Sequence, residues 1–63
     1  MCLSTAYYRE KKNENIAAEY VAEIIIEDGA VRLIDVMGDE MRIEGTLKYV
    51  NLTGGTVIIE PAE

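Results

Sequence analysis

The single cysteine, Cys2, is the residue of this 63-residue chain whose type and position best fit a chemical role. Because cysteine is small, we expect Met1 to be removed, which would make Cys2 the amino terminus. A thiolate, an amine and nearby amide nitrogens would then lie at chelating distance, and sulfur with nitrogen in a planar arrangement suits nickel(II) or copper(II). One chain supplies too few ligands, whereas two chains related by a two-fold axis supply four. A lone cysteine is more often buried and inert, and the residues alone leave that alternative open.

Catalysis finds little support in the sequence. The chain has no histidine, so a serine or cysteine nucleophile lacks its ordinary base. Gly54-Gly55 precedes a predicted strand, whereas phosphate-binding glycine loops open a helix. Nothing in the spacing of the carboxylates selects a pair for acid–base work, and we therefore predict that the protein is not an enzyme. The carboxylates at typical solvated strand positions are Glu23, Glu27, Glu40 and Glu44.

The charge balance argues against a nucleic-acid partner. The net charge is −6 and the isoelectric point is near 4.5, whereas nucleic-acid binders present a basic stripe that displaces counterions from phosphates. Arg9, Lys11 and Lys12 form a basic cluster, but Glu10 interrupts it. The polar stretch at about 9–15 therefore indicates a solvated loop.

The length of the chain indicates one domain over residues 1–63 that needs additional stabilisation. A domain this small has a thin core, and such domains usually depend on disulfides, a metal or a partner subunit. One cysteine excludes an internal disulfide, and without histidine the common Cys/His zinc sites cannot form within one chain. We therefore expect a homodimer. The longest apolar run, Ile24 to Ile26, is far below the roughly 18 residues of a membrane span, and a free thiol fits the reducing cytoplasm.

The apolar residues follow a period of two from Tyr20 onward, which is typical of half-buried strands. Asp28-Gly29 is a favoured hairpin turn, and Gly38-Asp39 and Gly54-Gly55 mark two more turns. One helical turn is expected at 16–19, and a helix that continues through Tyr20 and Val21 is the competing interpretation. The predicted strands cover about 2–8, 20–27, 31–36, 41–45, 47–52 and 56–60.

Five or six short strands at this spacing predict an all-β fold, either a small antiparallel β-barrel or a curled sheet. Closure of the sheet would hide edges that otherwise invite aggregation. Apolar residues on the outward face of the strand at 20–27, Val21 and Ile25, are the expected dimer contacts. The expected inward residues are Tyr20, Ala22, Ile24 and Ile26, and the expected outward residues are Val21, Glu23, Ile25 and Glu27.

Several stretches, taken in order, resemble the CooT family of nickel-binding proteins. The resemblance implies a compact β protein that dimerises and binds nickel(II) through Cys2. Because the type member is linked to nickel supply for carbon monoxide dehydrogenase, it also implies a nickel-enzyme client of that kind. The stretches are Met1-Cys2-Leu3-Ser4-Thr5-Ala6-Tyr7, Val21-Ala22-Glu23-Ile24, 29–35, Glu44-Gly45 with 47–52, and 56–60.

Two functions follow from these observations. The first is a nickel chaperone or carrier whose site is formed by the Cys2 thiolates of two subunits. The alternative is a small interaction module that docks onto a protein or RNA, with Cys2 only packed. Members of the family have also been described as predicted RNA-binding proteins, but the acidic composition argues against that activity.

Overall fold

The computed structural model describes residues 3–62, and the predicted metal ligand, Cys2, therefore lies outside the described residues. Five strands close into a barrel in the order β1-β2-β3-β4-β5, with β5 beside β1. Residues 3–62 contain no α-helix. The predicted all-β barrel is confirmed, and the one parallel neighbour pair is β1 with β5. The elements are β1 (Ser4–Tyr8), a 3₁₀ turn (Asn13–Asn15), β2 (Ile16–Glu27), β3 (Ala30–Asp35), β4 (Glu40–Asn51) and β5 (Thr56–Pro61).

Strand β4 is one continuous strand where the sequence predicts two, with the predicted boundary at Gly45. Its first half pairs with β3, and its second half, from Gly45 onward, pairs with β5. Gly45 has φ +149, and a Cβ atom there would collide with the carbonyl oxygen of Glu60 and lie 2.7 Å from the Cα of Pro61. Glycine is therefore required at this corner, where the chain bends without leaving the sheet. The six predicted segments thus form five strands.

Strand β2 also turns a corner, at Tyr20. This residue has φ +58, and the register with β3 shifts between Val21 and Glu23. The helical turn expected at 16–19 is wrong, because Ala18 pairs with Ala6 of β1 and the strand begins at Ile16. Tertiary pairing overrides the helix propensity of alanine and glutamate here.

The corner in β2 reverses the expected inward and outward sides at its centre. Val21 is 5% exposed and belongs to the core, whereas Tyr20 is 59% exposed. The expectation that Val21 contributes to a dimer interface is therefore wrong. Ile24 does pack against the core as expected. Ala22 and Ile26, which were also expected inside, are exposed, so that part of the expectation is wrong. Ile25 is half-buried and pairs with Arg32.

The core is small and consists of side chains inside the barrel. In β5 the fully buried Val57 and Ile59 alternate with the partly exposed Ile58. In β1 the buried Ala6 precedes Tyr7, which is therefore on the outer surface. The core consists of Ala6, Val21, Val31, Leu33, Ile43, Val57 and Ile59.

Candidate functional site

The first described residues enter the barrel beside the turn between β4 and β5. The amide of Thr5 donates a hydrogen bond of 2.9 Å to the carbonyl of Gly55. A Cβ atom on Gly55 would lie 3.0 Å from the carbonyl oxygen of Leu3. Ser4 is buried and is the cross-strand partner of Val21 on β2. The segment that carries Cys2 is therefore joined to a tightly held strand start.

The turn from Asn51 to Gly55 is itself well ordered by side-chain bonds. The Asn51 side chain accepts a 2.9 Å hydrogen bond from the amide of Gly54 and donates a 3.3 Å bond to the hydroxyl of Tyr49. Gly55 has φ +70, which confirms that Gly54-Gly55 forms a turn between strands. Leu52 at the tip is 75% exposed. This end of the barrel thus combines a fixed backbone with an exposed apolar side chain.

Metal-ligating groups do not converge within the described part of the chain. Residues 3–62 contain no group of three or more cysteine or carboxylate side chains placed to hold a metal ion. The carboxylate of Glu27 lies 3.3 Å from Arg32 and 3.4 Å from Arg42. Glu40 and Glu44 pair with the same two arginines. These acids therefore neutralise neighbouring cations on the sheet surface.

An apolar row crosses the outer surface of four strands. Tyr7 is the cross-strand partner of Ile16 on one side and of Ile58 on the other, and Ile58 also pairs with Tyr49. Cross-strand partners share a face, so these four residues form one row, which we call the outer row. Tyr49 is 49% exposed, and Ile16 is also exposed. No local sequence pattern predicts this row, because it depends on the parallel pairing of β1 with β5.

In the basic cluster of Arg9, Lys11 and Lys12, two of the three cations pair with acids. Lys12 lies 2.9 Å from Glu10, and its hydrogen bond and charge lower the pKa of the Glu10 carboxyl below its ordinary value of 4.5. Arg9 lies 3.9 Å from Glu60. The pairing agrees with the predicted solvated loop and leaves little positive charge for phosphate groups.

None of the described residues, 3–62, belongs to a helix with the length and apolar character needed to cross a membrane.

Comparison with known proteins identifies a family and a matching fold. The model of the family described as CO dehydrogenase accessory protein CooT matches residues 1–60. The crystal structure of a putative CooT from Carboxydothermus hydrogenoformans matches with a TM-score of 0.82 at 19% identity, over 98% of this chain and 100% of that chain. At this identity the structural match supports the fold alone. No curated protein matches the chain.

Proposed function

The chain belongs to the CooT family of CO dehydrogenase accessory proteins, and we propose that it carries nickel(II) to a nickel enzyme, bound by the Cys2 thiolates of two subunits. The family assignment makes the protein an accessory factor and not a catalytic enzyme, as the sequence predicts. The proposed client is a CO dehydrogenase, since the family is described by its accessory role for that enzyme. The proposed compartment is the cytoplasm, where a free thiol stays reduced.

The composition of possible ligands supports a site shared between two chains. Cys2 is the only sulfur ligand of the thiolate type, and the chain has no histidine. Among residues 3–62 the acids are not grouped for metal binding. Two thiolates with main-chain nitrogens form a donor set that favours nickel(II) over zinc(II), which prefers a closed tetrahedral site. A second chain is the simplest source of the second thiolate.

The outer row is the proposed dimer interface. It lies on β1, β5 and β4 and reaches β2 at Ile16. Leu3 and Leu52 add exposed apolar surface at the end of the barrel where β1 begins. An exposed apolar band of this kind is a common feature of subunit interfaces. A two-fold contact over this face is the proposed arrangement of the dimer.

The single observation that carries the proposal is the family match over residues 1–60, which includes Cys2. The test is a nickel titration of untagged protein and of Cys2→Ser, followed by absorbance, calorimetry and native mass spectrometry. We expect a thiolate-to-nickel charge-transfer band in the parent that saturates at one metal per two chains. Cys2→Ser should keep its fold and lose the band. Equal nickel binding by both proteins would exclude Cys2 as the ligand.

A further inference from the structure

A groove of about 210 Å³ lies between the first half of β2 and the start of β4, at the opposite side of β2 from β1. Its floor is apolar and includes Ala18, Leu33 and Met41. Leu33 belongs to the core, and Ala18 packs against it. The groove therefore opens onto the hydrophobic interior of the barrel, and it shares no residue with the outer row.

The rim of the groove carries four carboxylates and no lysine or arginine. Asp35 is held within its loop, where it accepts bonds of 2.8 Å and 3.0 Å from the amides of Met37 and Asp39. Glu40 pairs with Arg32 at 3.1 Å. Among residues 3–62, Glu19 and Asp39 make no salt bridge. Two carboxylates at the mouth of an apolar groove therefore have no neutralising cation within the described part of the chain.

One wall of the groove is a free strand edge. Ile16 and Ala18 of β2 pair with β1, whereas the pairing of β2 with β3 begins only at Val21. Ala17, Ala18 and Glu19 line the groove along this edge. The two alanines leave the backbone accessible because their side chains are small. A free edge of this type can add an extended segment through main-chain hydrogen bonds.

The corner of β2 places exposed apolar groups beside the groove. Tyr20 has φ +58, a backbone conformation that is unfavourable for a bulky residue. Its carbonyl accepts a 3.1 Å hydrogen bond from the amide of Val36. Val36 is exposed, and Met37 is 84% exposed. Tyrosine and methionine are enriched in protein interfaces, and strained residues are concentrated at functional positions.

We propose that this groove docks an extended segment of a partner protein that carries a lysine or arginine side chain. The cationic group lies between Glu19 and Asp39, while its aliphatic stem packs on Ala18 and Met41. The main chain of the segment pairs with the free edge of β2. Apolar side chains of the segment contact Tyr20. The groove shares no residue with the proposed nickel site, so either proposal can be wrong while the other holds.

The test is an NMR titration of the full-length, ¹⁵N-labelled protein with an acetylated and amidated hexapeptide of alternating lysine and valine. We expect shifts at the amides of Ala17, Ala18, Leu33 and Met41. A peptide with glutamate in place of lysine should cause none of these shifts. Absence of binding, or shifts distributed over all acidic surfaces, would overturn the proposal.

A pair of double variants separates docking from general charge attraction. Glu19→Gln with Asp39→Asn should weaken peptide binding about tenfold, because it removes both free carboxylates. Glu14→Gln with Asp28→Asn changes the net charge equally at exposed positions outside the groove, and it should change the affinity less than about twofold at moderate salt. Equal weakening by the two pairs would contradict a specific groove. A change of oligomeric state in the first pair without peptide binding by the parent would assign the groove to a second copy of the chain and overturn the proposal.

Discussion

The amide of Thr5 donates to the carbonyl of Gly55, and this 2.9 Å bond fixes the start of β1 against the turn that precedes β5. Because β1 and β5 are parallel, both strands start at the same end of the barrel. The exposed Leu3 therefore lies at the same end of the barrel as the turn that carries the exposed Leu52. This relationship links the proposed metal site to the proposed dimer interface.

Nickel binding should weaken steeply as the pH falls. A free thiol has a pKa near 8.5, so below that pH each Cys2 must lose a proton to bind the metal. Two thiolates per site predict that the apparent dissociation constant rises at least about 100-fold for each pH unit below 8. Calorimetry in buffers of different ionisation enthalpy should count at least two protons released per nickel.

The same experiment on Cys2→Ser provides the control, since this variant has no thiol to deprotonate. Residual binding there should be weak. A parent protein that binds nickel with no proton release between about pH 6 and 8 would contradict thiolate ligation.

Disruption of the outer row should dissociate the proposed dimer. Tyr49→Lys places a charge at an exposed position of the outer row, twice per dimer. If each copy of the substitution weakens the free energy of dimer association by about 1.4 kcal/mol, the dimer dissociation constant should rise about 100-fold. Sedimentation equilibrium over a range of protein concentrations measures this constant directly. The parent should also show a melting temperature that rises with protein concentration, and the variant should lose that dependence.

Ile25→Lys is the matched control for the outer row. Ile25 lies on the outer surface of β2, where it pairs with Arg32 on β3 and not with any residue of the outer row. The same hydrophobic-to-lysine change there should leave the dimer intact. If Ile25→Lys dissociates the dimer and Tyr49→Lys does not, the interface lies on the β2–β3 side of the barrel.

The corner at Gly45 should tolerate no side chain. Gly45→Ala combines a positive φ with a collision against the backbone of Glu60 and Pro61, which belongs to a paired strand and cannot move freely. We expect the free energy of unfolding to fall by at least about 3 kcal/mol in urea denaturation. Gly38→Ala is the control, because φ is +88 there but no atom lies within 4 Å of the added Cβ. It should cost only about 1–2 kcal/mol.

Sequence periodicity predicted the strands well and the corners poorly. The alternation in β3 and β5 and the turns at Asp28-Gly29 and Gly54-Gly55 led to correct elements, because hairpins are local. A glycine that bends a continuous strand has the same local signature as one that ends a strand, so Gly45 divided β4 in the prediction. Nothing in the local sequence marks Tyr20 as a positive-φ corner. The prediction therefore places Tyr20 inside the barrel and Val21 outside, which is the reverse of the structure.

The candidate site, too, can be predicted only in part from the sequence. The proposal of Cys2 as a ligand rests on residue type and position, so it can be made from the sequence, and it stays a prediction. The outer row was not, since Tyr7 and Ile58 are far apart in the chain and meet only when β1 pairs with β5. The groove likewise depends on the gap between the first half of β2 and β3, which no local pattern predicts.

Glu27 should stabilise the sheet by separating two like charges. Arg32 and Arg42 are direct cross-strand partners, an unfavourable arrangement, and the Glu27 carboxylate contacts both. Because these side chains are partly exposed, Glu27→Gln should cost only about 0.5–1 kcal/mol at low salt. The loss of stability should shrink at about 0.5 M salt, as screening weakens both the attraction and the repulsion.

Glu44→Gln is the matched control. It removes the same charge, but the Glu44 side chain contacts Arg42 alone, at 3.5 Å. Equal losses for the two variants in urea denaturation would show that bridging contributes nothing beyond the single ion pair.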